Sequence, residues 1–333
     1  PSPTTLAAAF EALRARGDEL PTALRILRQL VMERLIVLDC DQLAPLDTIT
    51  TAVTDLAEFT LDQACQAAHA QLQAQHGAPQ GPQGQRAHLW VVGMGKLGGR
   101  ELNFSSDIDL VFLFPGYGET AHAAPVSHDE YFIRVGQALL RLLASVTVDG
   151  FVFRVDMRLR PFGDSGPLAC GFSAFEDYLL QHGRDWERYA WVKARALTAP
   201  EAYADLYAEA VRPFVYRRYL DFGVFESLRE MKQLIEKQVA RRDLVGHIKL
   251  GPGGIREIEF IVQALQLIRG GRDPALTARP TLEVLIELPK KNLLPARAAE
   301  ELSAAYVFLR NAEHRLQYLD DAQTHELPVD PED

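Results

Sequence analysis

Apolar residues recur at helical spacing over the first quarter of the chain and again over its second half. Near the start, Leu24, Leu27, Val31 and Leu35 follow one another at intervals of three or four residues, which place side chains on one face of an α-helix. The same spacing predicts helices over 175–181, 200–219, 224–239, 255–268 and 296–319. The pattern therefore predicts helical regions at both ends of the chain.

The middle of the chain has the pattern of an α/β unit. Short apolar runs over 88–92, 108–114 and 151–159 are typical of strands, and an amphipathic helical pattern over 129–145 separates the last two. These elements predict a sheet with at least one helix between its strands.

A turn-rich segment marks where the pattern changes. Residues 76–85 consist largely of Gly, Pro and Gln and carry almost no charge, which is typical of a linker. We therefore predict three regions: an N-terminal helical region over 1–80, a core over 81–200 and a C-terminal helical region over 201–333.

Composition narrows the class of protein. The chain has 333 residues and is 47% hydrophobic, enough for two or three compact units. No apolar run reaches the ~18 residues of a membrane span and no leader is recognisable, so we expect a soluble, cytoplasmic protein without membrane contact. The net charge of -10 argues against nucleic-acid binding. Three widely spaced cysteines, Cys40, Cys65 and Cys170, predict neither a disulfide framework nor a zinc site.

The first candidate for chemistry is a pair of carboxylates at the start of a strand. Asp107 and Asp109 flank Ile108 in the run that continues to Phe114. Because side chains alternate along a strand, both carboxylates point to one face while Ile108 points to the other. Two neighbouring anions repel each other unless a cation lies between them. The pair therefore predicts a site for divalent metal ions.

A glycine-rich segment lies just upstream, at residues 93–99. Its sequence, Gly-Met-Gly-Lys-Leu-Gly-Gly, contains the letters of a dinucleotide-binding motif, but the eight residues from Gly99 to Ser106 are too few for a crossover of at least ~10 to 12 residues. A Walker loop needs Ser or Thr after the lysine, where Leu97 stands here. Two interpretations remain: a loop whose backbone amides cradle a phosphate, or a tight turn without a ligand.

A third carboxylate lies in the last predicted strand. On an alternating strand, Arg154, Asp156, Arg158 and Arg160 share the polar face. Asp156 could simply form a salt bridge with these arginines. Together with the Asp107 pair, however, it could hold two divalent ions about 3.5 to 4 Å apart, as in in-line displacement at phosphorus. Arg158 and Arg160 could then bind phosphate oxygens, since a guanidinium matches their geometry.

These residues carry a family resemblance. The run Gly-x-Gly-Lys-Leu-Gly-Gly-x-Glu-Leu-Asn-Phe-Ser-Ser-Asp-Ile-Asp-Leu and the later Phe-Arg-Val-Asp-Met-Arg-Leu-Arg-Pro-Phe-Gly resemble the nucleotidyltransferase domains of the bifunctional glutamine synthetase adenylyltransferases, or adenylyl-removing enzymes. The resemblance continues through 183–189, 192–195 and 251–260. Two segments resemble the N-terminal, deadenylylating copy of the domain: Asn-Phe-Ser-Ser-Asp-Ile-Asp and Gly-Gly-Ile-Arg-Glu-Ile-Glu-Phe.

The resemblance implies a fold and a reaction. The fold is an α+β nucleotidyltransferase of the polymerase β-like type, with a mixed-sheet core between helical regions. The reaction is phosphorolysis: phosphate attacks the AMP group on a tyrosine of glutamine synthetase and yields ADP and the unmodified enzyme. One alternative is the reverse direction, adenylyl transfer from ATP to glutamine synthetase. A second is a regulatory module that binds nucleotide without turnover.

The resemblance also implies site residues and partners. Catalytic and metal-binding roles fall to Asp107, Asp109 and Asp156, with two Mg2+ ions, or Mn2+ instead. Nucleotide or phosphate binding falls to Gly98, Gly99, Ser106, Arg158, Arg160, Lys193 and Arg195. The implied partners are glutamine synthetase, phosphate, the AMP or ADP group, and a PII-type signalling protein together with glutamine as regulators.

Overall fold

The computed structural model divides the chain into two compact units. It describes residues 2–81, 84–198, 204, 207–216, 226, 228–233, 247–318, 321 and 323–327. The first unit comprises Pro1–Leu102, Ser106–His182 and Ala194–Ala210; the second comprises Asn103–Ser105, Gly183–Lys193 and Val211–Asp333. The predicted N-terminal region and most of the predicted core thus fall in one unit. The division into three regions stays a prediction.

Three helices open the first unit, as the apolar spacing predicts. They are α1 (Pro3–Ala15), α2 (Leu20–Cys40) and α3 (Leu46–His76). The apolar side chains of α2 that define the predicted stripe, including Leu24 and Leu27, are buried. Helix α3 carries its own buried stripe, including Val53 and Leu56. Tertiary packing of these stripes stabilises the helices more than their intrinsic propensity does.

The first unit contains a mixed sheet. Its strands are β2 (Trp90–Gly93), β3 (Ile108–Phe114), β5 (Val155–Asp156), β6 (Ala169–Gly171) and β7 (Arg195–Ala196). The order is β5-β3-β2-β7, and β6 also pairs with β3. β2 is antiparallel to β3 and β7, whereas β3 is parallel to β5 and β6. A separate two-stranded sheet joins β1 (Pro79–Gln80) to β4 (Glu119–Thr120). The predicted α+β class with a mixed sheet is confirmed.

Strand β3 is the centre of this sheet. It occupies the predicted residues, and from Leu110 to Phe114 every side chain is buried. Helix α5 (His128–Ala144), predicted over 129–145, packs against both β3 and α3. Helix α6 (Phe172–Gln181) follows β6 and contacts β3 as well. Burial on both faces fixes β3 rigidly, and its N-terminal end is where the carboxylates lie.

The predicted strand over 151–159 is wrong in its extent. Only Val155 and Asp156 form a strand, and Val152 and Phe153 are both buried rather than alternating. The strand ends because the backbone N–H of Arg158 donates to Oδ1 of Asp156, 2.8 Å away, which closes a local turn. Arg158 and Arg160 therefore do not continue the strand face on which the sequence pattern places them.

The second unit is helical. It contains α7 (Asp185–Trp191), α8 (Arg212–Val215), α9 (Ile255–Arg269), α10 (Thr281–Lys290) and α11 (Ala296–Gln317). Its core is a cluster of Ile255, Ile258, Val262, Leu276, Val284, Leu285, Leu288 and Tyr306. The helices predicted over 255–268 and 296–319 are confirmed up to residue 317, while Leu319 lies outside the described residues. Much of the predicted helices 200–219 and 224–239 also lies outside them.

In the parts of the chain that the structure describes, every helix is too short or too polar to cross a lipid bilayer.

Candidate active site

Two of the three predicted carboxylates are brought side by side by parallel strands. In the β3–β5 pair, Ile108 lies opposite Val155, and Asp109 lies opposite Asp156. Neighbouring strands are about 4.8 Å apart, and side chains at matched positions point to the same face. The carboxylates of Asp109 and Asp156 therefore share one face of the sheet, although 46 residues of chain separate them. We call this side of the sheet the carboxylate face. Such a pair of like charges is the local arrangement that attracts a cation.

Asp107 lies one strand period before Asp109 and has an arginine partner. Nε of Arg154 donates to Oδ1 of Asp107 across 2.9 Å, and the backbone N–H of Ile108 donates to the carbonyl of Arg154. The guanidinium of Arg154 also lies 5.1 Å from the ring centre of Phe151. Both members of the ion pair are about one third exposed. The hydrogen bond from Arg154 thus fixes the side chain of Asp107 next to the carboxylate face.

Asp156 is held by Arg158. Nε and Nη2 of Arg158 both reach Oδ2 of Asp156, at 2.8 and 2.5 Å, while the Asp156 side chain is only 15% exposed. The hydrogen bond from the Arg158 side chain lowers the pKa of Asp156, against the opposing effect of burial. Asp156 is therefore a carboxylate anion at neutral pH, as a metal ligand must be.

The glycine-rich segment lies against Asp109. The backbone N–H of Met94 donates to the carbonyl of Asp109, and Gly95 has a φ of +50°. A Cβ atom on Gly95 would lie 3.0 Å from Oδ2 of Asp109. Position 95 therefore requires glycine on two grounds, its backbone conformation and the close approach of the carboxylate. The predicted adjacency of this segment to the acidic strand is present in the fold.

The segment forms a helical turn rather than an open loop. Residues Gly95–Gly98 form the short helix α4. The amides of Gly98 and Gly99, which the resemblance assigns to phosphate binding, donate to the carbonyls of Met94 and Gly95, both at 3.0 Å. Their backbone hydrogen bonds thus stabilise the turn. The predicted phosphate roles of Gly98, Gly99 and Ser106 stay predictions.

The structure supports the predicted metal site only in part, by the pairing of two carboxylates. Asp109 and Asp156 supply paired carboxylate oxygens, the ligands that Mg2+ prefers. Within the described ranges, however, no group of three or more His, Cys, Asp or Glu side chains is close enough to hold a metal ion. Two of the three predicted ligands, Asp107 and Asp156, are instead paired with Arg154 and Arg158. The carboxylate chemistry of the adjacent pair suits a divalent ion, and metal binding by the pair or by the full trio stays a prediction.

Arg160 and Arg195, both predicted to bind phosphate, have backbone carbonyls as partners. Nη1 of Arg160 donates to the carbonyl of Met157 at 2.8 Å, and its side chain is only 13% exposed. Arg195 donates through Nε to the carbonyl of Gly98 and through Nη2 to that of Leu97, at 3.1 and 3.0 Å. Both arginines therefore stabilise loops next to the carboxylates, and direct contact with phosphate stays a prediction.

Lys193 belongs to the second unit. It is almost completely buried, its Nζ donates to the hydroxyl of Thr281 at 2.9 Å, and a carboxylate oxygen of Glu259 lies 3.8 Å away. These contacts give Lys193 a structural role inside that unit. Its predicted role in nucleotide or phosphate binding stays a prediction.

Two residues with partners at this site cannot be found from sequence patterns alone. Arg154 shares the predicted polar face with Asp156, but only the strand register reveals Asp107 as its partner. Glu58 lies on α3, and its carboxylate accepts hydrogen bonds from Arg100 and Arg195. No motif connects Glu58 with residues so distant in the chain, and only the packing of α3 brings them together.

Two family models match the chain. The family model described as Glutamate-ammonia ligase adenylyltransferase matches residues 2–210, and the model described as GlnD PII-uridylyltransferase matches residues 229–333. The first match covers more than half of the chain.

Three similar curated proteins share one description. The chain is 55% identical over 316 residues to the bifunctional glutamine synthetase adenylyltransferase/adenylyl-removing enzyme of Chromobacterium violaceum, which covers 95% of the chain and 35% of that protein. Proteins of the same description from Aromatoleum aromaticum and Thioalkalivibrio sulfidiphilus are 52% and 50% identical, covering 94% and 96% of the chain and 33% of each relative. The chain spans about a third of the length of the curated relatives it matches.

Proposed function

The chain belongs to the glutamate-ammonia ligase adenylyltransferase family, and from that premise we propose that it removes AMP from an adenylylated tyrosine of glutamine synthetase by phosphorolysis. The products are ADP and the unmodified enzyme. The relatives named above are described as bifunctional, and this chain matches about a third of each, so the direction of the reaction is part of the proposal. The sequence of this chain around Asp107 and Asp109 resembles the deadenylylating copy of the domain.

The observation that carries this proposal is the register of β3 and β5. It sets Asp109 beside Asp156, while the glycine-rich segment closes against Asp109 with Gly95 as the point of contact. A regulatory module that only binds nucleotide has little need for adjacent anions, because they repel the phosphates of the ligand. Nucleotidyl transfer does need them, since they hold the cations that neutralise the reacting phosphates.

The proposed reaction needs positioning more than a strong base. A phosphate oxygen attacks the adenylyl phosphorus, the new P–O bond forms ADP, and the bond from phosphorus to the tyrosine oxygen breaks. The attacking phosphate is already an anion, so the site must align it and screen its charge. Arg158, whose side chain is 75% exposed and bonded to Asp156, would donate to a phosphate oxygen in this proposal. The leaving tyrosine oxygen, with a conjugate acid of pKa near ~10, takes up a proton from solvent.

Metal binding would involve the same carboxylates. Asp109, Asp156 and Asp107 would hold the ions, and Asp107 is bonded to Arg154 in the structure. Mg2+ or Mn2+ bound there supplies positive charge that stabilises the attacking and leaving oxygens. The hydrogen bond from Arg158 lowers the pKa of Asp156 and keeps that carboxylate ionised. The number of ions, two in the proposal, is part of what must be tested.

The remaining partners follow from the family alone. Glutamine synthetase is the proposed protein substrate. Regulation by a PII-type protein and by glutamine, and a cytoplasmic location, are proposed on the same ground. The match of residues 229–333 to a PII-uridylyltransferase model concerns the second unit and assigns it no binding partner.

The direct test compares the two directions in one experiment. The chain is incubated with Mg2+ and either adenylylated glutamine synthetase plus phosphate or unmodified glutamine synthetase plus ATP, and ADP and pyrophosphate are measured. The proposal expects ADP that depends on phosphate and on the adenylylated substrate. Pyrophosphate release from ATP without any ADP from the first mixture would assign the opposite direction. Magnesium-independent nucleotide binding without either product would indicate a regulatory module.

A further inference from the structure

Charged side chains connect helix α3 to the end of the glycine-rich segment through Arg100, which follows the segment, and Arg195, which bonds to its carbonyls. Glu58 lies on this helix, and its Oε1 accepts hydrogen bonds from Nη2 of Arg195 at 2.5 Å and from Nη1 of Arg100 at 2.9 Å. One turn earlier, Oδ1 of Asp55 accepts from Nη2 of Arg100 at 2.5 Å. Two carboxylates and two guanidiniums thus form one connected group, all within the first unit.

Both arginines hold the end of the segment, Arg195 by hydrogen bonds to its carbonyls and Arg100 as the residue that follows it. Arg195 donates to the carbonyls of Leu97 and Gly98, which are the last residues of the helical turn α4. Arg100 follows the Gly98–Gly99 pair and has a φ of +57°, a left-handed conformation that costs roughly 1 kcal/mol or more for a residue with a side chain. Its ion pairs with Glu58 and Asp55 offset that strain.

The group is shielded enough to matter energetically. The side chains of Asp55, Arg195 and Glu58 are 11%, 21% and 27% exposed, and that of Arg100 is 39% exposed. Exposed ion pairs contribute little because water screens them, whereas hydrogen bonds between charged, half-buried groups are stronger. Glu58 is the only member that contacts both arginines in the hydrogen bonds described for this group. Its loss would remove one carboxylate partner from each arginine at once, leaving Arg100 with Asp55 and Arg195 with the carbonyls of Leu97 and Gly98.

We propose that Glu58 is a positioning residue that fixes residues 97–100 beside the carboxylate face through Arg195 and Arg100. This inference rests on the proposed function and deepens it. The N-terminal helical region then contributes to the reaction, because α3 sets the position of the segment that closes against Asp109. Arg195 acts on the reaction through the carbonyls of Leu97 and Gly98 and need not touch phosphate itself.

The expected kinetic effect follows from positioning. A segment that moves by a fraction of an ångström still binds substrate but aligns the adenylyl phosphorus less often, so kcat should fall more than KM rises. For Glu58→Gln we expect kcat for phosphate-dependent ADP release to fall at least tenfold, with KM for phosphate changing less than threefold. Glu58→Asp keeps the charge at a shorter reach and should recover part of the lost rate.

A matched control lies on the same helix. Asp62 is one turn beyond Glu58 and accepts a hydrogen bond from Gln66 at 2.7 Å, with no contact to residues 97–100 in the bonds described for it. Asp62→Asn should leave kcat unchanged. A double-mutant cycle adds the coupling: if Glu58 acts through Arg195, then Glu58→Gln combined with Arg195→Gln should cost little more than the larger single change. Fully additive losses would contradict the proposed route.

A second measurement separates this inference from the proposed function. Amide hydrogen exchange of Gly98, Gly99 and Glu101 in the 333-residue chain needs no substrate. We expect faster exchange at these amides in Glu58→Gln, with unchanged exchange along β3. If the unaltered chain releases no ADP, the proposed function fails. Faster exchange in Glu58→Gln would still show that Glu58 stabilises residues 97–100. Unchanged exchange in Glu58→Gln, or faster exchange with kcat unaffected in an active chain, would overturn the positioning role.

Discussion

Replacing Gly95 by alanine tests whether the close approach of the glycine-rich segment to Asp109 matters for the reaction. The position has a φ of +50°, and the added Cβ would lie 3.0 Å from Oδ2 of Asp109. At that distance the carboxylate must move by a few tenths of an ångström. Gly95→Ala therefore perturbs the geometry of the carboxylate face without removing a charge.

A matched variant isolates the contact from the backbone strain. Gly116 lies in the same unit with a φ of +47°, and a Cβ there would meet nothing within 4 Å. Both substitutions place alanine in the left-handed region, which costs roughly 1 to 2 kcal/mol and is partly offset by the lower entropy of the unfolded chain. We therefore expect each variant to lose about 1 kcal/mol of unfolding free energy in urea.

The two variants should differ in activity. Displacement by 1 Å costs about a hundredfold in rate for a well-aligned site, so a shift of a few tenths should lower kcat for ADP release by about tenfold in Gly95→Ala. Gly116→Ala should keep the rate of the unaltered chain. Equal activity in the two variants, at equal loss of stability, would refute the claim that the segment positions Asp109.

Two further predictions concern groups outside the carboxylate face. Burial lowers the pKa of His69 to about 4, while an unfolded histidine titrates near ~6.5, so the unfolded chain binds this proton first as the pH falls. The unfolding free energy should therefore decrease between about pH 6.5 and pH 4, by roughly 3 kcal/mol at most, and His69→Gln should flatten this part of the profile in urea titrations. An unchanged slope would contradict the assignment. Lys193→Met removes the cation beside Glu259 and Thr281, and we expect a loss of about 1 to 3 kcal/mol in thermal or urea unfolding. Unchanged stability with lost ADP release would instead favour the predicted phosphate role.

The parts of the fold that sequence patterns predict well are those with long, uniform signals. Strand β3 occupies the predicted residues 108–114 because a charged pair precedes its apolar run and Pro115 follows it. Helix α5 differs from its predicted range by one residue at each end, since Ser127 caps its start by accepting from the N–H of Glu130. Local chemistry decides both elements, so local sequence is sufficient.

The strand that carries the third carboxylate shows where such reasoning ends. Alternation over 151–159 predicts nine residues of strand, but the bond from the Arg158 N–H to Asp156 ends it at once. That competition between a side chain and the sheet leaves no trace in the hydrophobic pattern. The same bond turns Arg158 back onto Asp156, so the arginine is both the reason for the error and a partner in the site.

The sequence predicts some features of the candidate site, whereas others depend on tertiary structure. Alternation identifies Asp107 and Asp109 as neighbours on one face, but the pairing of Asp109 with Asp156 depends on strand register, which single-sequence patterns do not fix. The residue type of Arg160 and Arg195 does not predict their contacts with backbone carbonyls, and their contact with phosphate stays a prediction. Partners such as Glu58, 137 residues from Arg195, are set by tertiary packing alone.

The measurement that tests the central claim most directly is phosphate-dependent ADP release from adenylylated glutamine synthetase by Asp156→Asn. This substitution keeps the size of the side chain and removes the charge that faces Asp109. Asp164→Asn is the matched control, because Asp164 lies eight residues later with its side chain 80% exposed. We predict that Asp156→Asn abolishes ADP release while unfolding in urea stays close to that of the control, which remains active. Near-normal ADP release by Asp156→Asn would contradict the account.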